Sequence, residues 1–160
     1  MEDIIIRKAE IEDITNLENI GSKEKYFIVD PELSGFWSDK ELKNWILSDN
    51  DTILITEHNK EIIGFIMISH HVPTSKATLE NIWVKKDFRG KGIARDLLEK
   101  GVKNIKIKGA TYICGFVKTD NLASEKSLLK NGFRKGYTFS LIHKVLKNDT
   151  PRTEVRGILV

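Results

Sequence analysis

Apolar positions along the chain follow two periods, and the predicted elements change wherever the period does. Ile4, Ile5 and Ile6 open a strand; Ile11, Ile14 and Leu17 then recur at helical spacing, so Arg7 to Ile14 is read as the turn into a first helix. Ser38-Asp39-Lys40-Glu41 forms a capping box, in which hydroxyl and carboxylate each satisfy a backbone amide of the other. The stripe Leu42, Trp45 and Ile46 follows it, predicting a second helix that ends near Asp49. Thr52 to Glu57 and Glu61 to Ser69 are β-rich runs separated by His58-Asn59-Lys60, which predicts a hairpin. Ile62 to Ile68 is apolar on both faces, as suits a central strand.

After a loop from His70 to Lys76, Leu79, Ile82 and Val84 lie on another strand, with Trp83 on its other face. From Gly92 onward Ile93, Ala94, Leu97, Leu98, Val102 and Ile105 return to helical spacing. Thr111 to Val117 reads as a strand, and Asn121 to Lys130 as a helix stopped by Asn131-Gly132. Phe133 to Leu146 is predicted to supply one or two last strands, broken near Gly136. The expected order is strand, helix, helix, strand, strand, strand, helix, strand, helix, strand, strand, in one domain over residues 1–146; residues 147–160 form an unassigned tail. Gly21 to Trp37 has no period yet holds Tyr26, Phe27, Phe36 and Trp37. Such a segment is either a loop pinned to the core by its rings or part of a binding wall.

Composition narrows the functional classes. A chain of 160 residues with 40% hydrophobic composition is the size of a single core. The hydrophobic runs are short and the start MEDIIIRKAE is acidic, so neither a membrane span nor export is expected, and the location is predicted to be cytoplasmic. The formal net charge of +3 is too small to suggest nucleic acid as the partner. Lys100, Lys103, Lys106 and Lys108 form a local cluster that reads as a solvated helix face. The lone Cys114 sits in an apolar run, which favours inert burial. His70 and His71 are adjacent, so on a strand they point to opposite faces, and no Cys, Asp or Glu cluster supplies further ligands; no metal is expected.

The stretch with the most chemistry runs from Leu79 to Leu98, LENIWVKKDFRGKGIARDLL. Gly90 and Gly92 bracket Lys91 where strand becomes helix, leaving open backbone amides at the positive end of a helix dipole, which is an anion-binding arrangement. Neither the GxGxxG dinucleotide spacing nor the GxxxxGK P-loop spacing is present. Val84, then Arg89, Gly90, Lys91, Gly92, Ile93 and Ala94, resembles the V-x-x-x-x-[QR]-x-x-G-x-[GA] pattern of the GNAT superfamily of N-acetyltransferases. The opening IRKAEIEDI is similar to that family's IRxAxxxD. The segment from Asn121 to Phe133 resembles its N-x-x-A-x-x-L-Y-x-K-x-G-F, matching at Asn121, Lys130, Gly132 and Phe133. It departs at Ser124, Ser127 and Leu128, and the last stands where many members carry the tyrosine that reprotonates the coenzyme A thiolate.

The resemblance implies a three-layer α/β domain with a mixed, mostly antiparallel sheet of about six or seven strands flanked by about four helices. It implies acetyl-CoA as cosubstrate and transfer of its acetyl group to a primary amine of a small molecule, polyamine or protein, by a monomer or homodimer. Ile82, Trp83 and Val84 would hold the pantetheine arm and thioester; Arg89, Gly90, Lys91, Gly92, Ile93 and Ala94 would hold the pyrophosphate, with Asn121 and Lys130 also on the coenzyme. Glu80, four residues before Val84, is the candidate general base, with Tyr137, His70 and His71 in reserve. The competing reading is a coenzyme A sensor without turnover, which the leucine at 128 would suit.

Overall fold

A computed structural model describes residues 4–28 and 35–142. The strands are β1 (Ile5–Lys8), β2 (Thr52–His58), β3 (Glu61–His71), β4 (Lys76–Val84) and β5 (Tyr112–Gly115). The helices are α1 (Ile14–Gly21), α2 (Asp39–Leu47), α3 (Ile93–Ile107) and α4 (Leu122–Lys130), joined in places by single 3-10 turns. The sheet runs in the order β1-β2-β3-β4-β5. Its first three pairings are antiparallel and the last, β4 with β5, is parallel. A parallel neighbour needs a crossover, and α3 supplies it.

Helices cover both faces of this sheet. On one, Leu54, Ile66, Ile68, Ala77 and Leu79 pack against Ile93, Leu97, Leu98 and Ile105 of α3 and Leu128 of α4. Gly101 lets α3 come close, because a Cβ there would stand 2.9 Å from Ile68 Cδ1. On the other, Ile53, Ile55, Phe65 and Met67 pack against Ile14 and Leu17 of α1, Leu42 and Trp45 of α2, and Phe36. β3 belongs to both cores, which is why its sequence is apolar throughout. The α1–α2 layer is tied down at Arg7, whose guanidinium meets Asp13 at 2.7 and 2.9 Å and Glu57 at 2.8 Å. Burial pushes the Asp13 carboxyl up, but the Arg7 hydrogen bonds, the Glu10 amide and the Arg7 charge together hold it below the usual carboxylate range.

Several expectations change. The sheet has five strands among the described residues, not six or seven: residues 133–142 contain no strand, and 143–146 lie outside the described residues. Alternating apolar residues permit a strand, but a pairing partner has to complete it, and the described part of this segment has none. His70 and His71 end β3 rather than beginning a loop, and β4 starts at Lys76. Arg7 and Lys8 belong to β1, and α1 begins at Ile14 after a 3-10 turn over Ile11–Asp13. Cys114 is half-buried, with Sγ 3.8 Å from Ala77 O. Two members of the lysine cluster do not simply face solvent: Lys100 donates to Ile6 O at 2.6 Å and Lys108 to Asp51 O.

Candidate active site

β4 is the organising strand of the site because its two edges end differently. Toward β3 it is paired along its length, up to Gly64↔Val84. Toward β5 the pairing stops at Leu79↔Gly115, and among the described residues nothing continues it on that side. Glu80 to Val84 therefore presents a backbone edge where the sheet opens. Lys85 N–H donates to Ile63 O of β3 at 2.8 Å, so by strand alternation the Trp83 amide also faces β3, while the Ile82 and Val84 amides face the open side. The Val84 carbonyl lies on that open side too, and it accepts from Arg89 Nε at 2.8 Å.

The glycine loop closes the far end of this edge. After a 3-10 turn over Lys86–Phe88, Gly90 and Gly92 both adopt left-handed backbone, φ 78° and 88°, which a side chain at either position would strain. Gly92 is the N-cap of α3, and the first backbone bond of the helix runs from Asp96 N–H to Gly92 O. The amides of Ile93, Ala94 and Arg95 precede it and have no intrahelical acceptor. Lys91 sits with Nζ 4.8 Å from the Phe88 ring, and Ile93 is buried against the sheet, anchoring the first turn. The loop thus sets amide donors and two cationic side chains at the positive end of a 15-residue helix.

At the near end, register slips between Met67 and Ile68 against β4, so Glu80 is the extra residue of a β-bulge. Leu79 and Ile82 consequently face the α3 core, while Trp83 joins the core beneath α1 and α2. Glu80 accepts from Ser69 Oγ at 2.6 Å, and Asn81 Oδ1 accepts from Trp37 Nε1 at 2.7 Å. Ser69 was not singled out from the sequence, and Trp37 was named there only as one ring of the aromatic segment. The Leu79-to-Ile82 change of phase was the only sequence signal for the bulge that recruits them.

The remaining sequence-derived candidates are dispersed. The Asn121 side chain caps α4 by accepting from Ser124 N–H at 3.2 Å, and Lys130 stands exposed in that helix's last turn. Tyr137 is 88% exposed and lies against Phe139, well away from any core. His70 is buried on the α3 side of the sheet, and His71 Nδ1 is 2.8 Å from Thr74 Oγ1 in the adjoining turn. Leu128 is packed into the α3 core at 7% exposure. Of the two readings of the aromatic segment, the pinned loop holds for Phe27 and Phe36, which stack at 5.6 Å over Phe65. Trp37 is different: it leans on Trp45 at 5.3 Å and also reaches Asn81.

The sequence profile of the Acetyltransferase (GNAT) family matches residues 17–133, which takes in the end of α1, all of α2, the open strand and the glycine loop. The chain belongs to this family. An acetyltransferase from Pectobacterium atrosepticum is 32% identical over 87 residues, a stretch covering 53% of this chain and 60% of that relative. Two solved GNAT structures share the fold. The ribosomal-protein-S18-alanine N-acetyltransferase of Escherichia coli superposes with a TM-score of 0.67 at 20% identity, over 84% of this chain and 80% of that one. The aminoglycoside N-acetyltransferase AAC(6')-Iy in complex with CoA gives 0.71 at 18% identity, over 90% and 96%. Among the described residues no cluster of His, Cys, Asp or Glu could hold a metal ion, and no helix is long and apolar enough to cross a membrane.

Proposed function

We propose that this GNAT protein transfers the acetyl group of acetyl-CoA to a primary amine. The observation that carries this is the β4 edge, released from β5 after Leu79 and ending in an anion-binding helix start. An extended pantetheine arm would add to the Ile82 and Val84 backbone as a strand adds to a sheet edge. One of those amides would then donate to the thioester oxygen as charge develops there. The pyrophosphate would meet the Gly92–Arg95 amides and the Lys91 ammonium. Arg89 has a second task, since its Nε is bound to Val84 O and braces strand against loop.

Glu80 is the proposed base. Its carboxylate stands on the bulge, beside the point where the edge opens, with one oxygen fixed by Ser69. The amine nitrogen forms its bond to the acetyl carbon as the carbon–sulfur bond breaks, and the electron pair leaves on sulfur. The amine's proton passes to Glu80, and the thiolate takes its proton from solvent. Leu128 cannot donate that proton, but a thiol of pKa about 8.5 needs no strong acid to leave. The alternative is a domain that binds acetyl-CoA without turnover, for which the buried Leu128 is the supporting observation.

Thiol release from acetyl-CoA with a panel of amines separates the two readings. Turnover with some amine, falling at least about 100-fold in Glu80→Gln with the acid limb of its pH profile removed, supports transfer with Glu80 as base. Turnover unchanged in rate and pH profile by Glu80→Gln sinks the base assignment alone. Binding of acetyl-CoA with no turnover on any amine favours the sensor.

A further inference from the structure

We infer that Asn81 selects the acceptor, and that the site takes a primary amine carrying a hydrogen-bond-accepting oxygen, hydroxyl or carbonyl, beside the amine-bearing carbon. The inference rests on the transfer reading above and deepens it by naming the substrate class. An asparagine amide has one oxygen that only accepts and one NH₂ that only donates, while an indole N–H only donates. The 2.7 Å contact between Trp37 Nε1 and Asn81 Oδ1 therefore fixes which way the amide is turned. With Oδ1 committed to Trp37, the Nδ2 donors point the other way, and no described residue accepts from them.

The bulge determines what stands next to those donors. On a regular strand, neighbours 80 and 81 would face opposite sides of the sheet. The register slip instead brings Glu80 to the face that Asn81 shares with Trp83, where Ser69 and Trp37 meet them from β3 and from the leader of α2. A carboxylate suited to an ammonium and an amide suited to an oxygen are thus side by side at the start of the open edge. An amine with only methylenes beside its nitrogen would cover the Asn81 NH₂ and leave it unpaired. An amine with an oxygen two carbons away, or on the next carbonyl, would satisfy both groups at once. A site built to bond a substrate oxygen discriminates strongly against the analogue lacking it; for a half-buried amide about tenfold or more is expected.

The test uses the full-length protein, acetyl-CoA and four amines compared at equal free-base concentration: 2-aminoethanol, glycinamide, propylamine and 1,2-diaminoethane. Wild type is expected to favour 2-aminoethanol or glycinamide over propylamine at least about tenfold in kcat/KM, and the faster of the two tells hydroxyl from carbonyl. Asn81→Ala is expected to level that preference. Asn81→Asp keeps an oxygen for Trp37 but replaces the donor by an acceptor, and is expected to turn the preference toward 1,2-diaminoethane. Tryptophan fluorescence of each variant verifies that the Trp37 layer is still folded. Transfer without preference in wild type, or a preference that survives Asn81→Ala, overturns the assignment while leaving the transfer reading intact. Acetyl-CoA binding without thiol release on any amine overturns the transfer reading, and the acceptor assignment falls with it.

Discussion

Against α3 the sheet presents Leu54, Ile66, Ile68 and Leu79, all aliphatic; against α1 and α2 it presents Phe65, Met67 and Trp83 beside Ile53 and Ile55, and the rings of Phe27, Phe36, Trp37 and Trp45 meet them. The α3 layer is one 15-residue helix seated on close-packed side chains. The α1–α2 layer is built from helices of eight and nine residues, and adds ring contacts, a capping box and the Arg7–Asp13–Glu57 cluster to the aliphatic packing of Ile14, Leu17 and Leu42. Aliphatic packing is indifferent to charge and permits a continuous dry interface. Aromatic and ionic anchoring leaves polar atoms within reach of the sheet, and the bulge residues use them. On the proposed function, the division places the coenzyme loop beside the aliphatic face and acceptor chemistry on the other.

The largest effect is expected where the aliphatic layer is opened. Leu97 is fully buried, so Leu97→Ala should cost about 3 kcal/mol of unfolding free energy in a urea titration. A loss under about 1 kcal/mol would mean that the α3 face is not close-packed. Asp13→Ala probes the other layer and should cost about 2 kcal/mol at neutral pH, because it strands part of the Arg7 guanidinium and undoes a helix-start cap. This loss carries a pH signature that Leu97→Ala lacks. The folded-state pKa of Asp13 is lowered from an ordinary value of 3.8, so its contribution is present above that value and fades as pH falls below it. The gap between wild type and Asp13→Ala should accordingly narrow below about pH 4. All three tryptophans, Trp37, Trp45 and Trp83, lie in this layer, so intrinsic fluorescence reports it directly. A gap that stayed constant through acid pH would show that the ion cluster does not hold α1.

The smallest expected effect, that of Lys91, falls in the proposed coenzyme loop. Gly92→Val should weaken coenzyme A binding by about 2 kcal/mol, since φ 88° is strained for any β-branched residue. The protein itself leaves room there, with Arg95 the nearest side chain at 3.6 Å, so the penalty comes from backbone conformation and from the bound phosphate. Lys91→Ala should cost about 1 kcal/mol and fade with salt, as an exposed charge contact does. Titration calorimetry of both variants at two salt concentrations decides the order. Normal affinity in a folded Gly92→Val protein would make the loop structural.

Whatever depends on neighbours along the chain was determined by the sequence. The amphipathic period of α3, the Ser38–Glu41 capping box, the β2–β3 hairpin and the glycine pair at a helix start all follow from local spacing, and all are present. Local geometry restricts few residues at a time, so short-range patterns suffice to specify it. Tertiary structure alone decided that β4 parts from β5 after Leu79, that Trp37 bonds to Asn81 across 44 positions, and that Ser69 reaches Glu80. The change of phase between Leu79 and Ile82 announced an irregularity, but which residue bulges depends on the register of β3 opposite. The same dependence explains the alternating run after Phe133, which reads as strand yet forms none among the described residues. A strand is completed by its partner, and the sequence of one strand does not contain the partner's position.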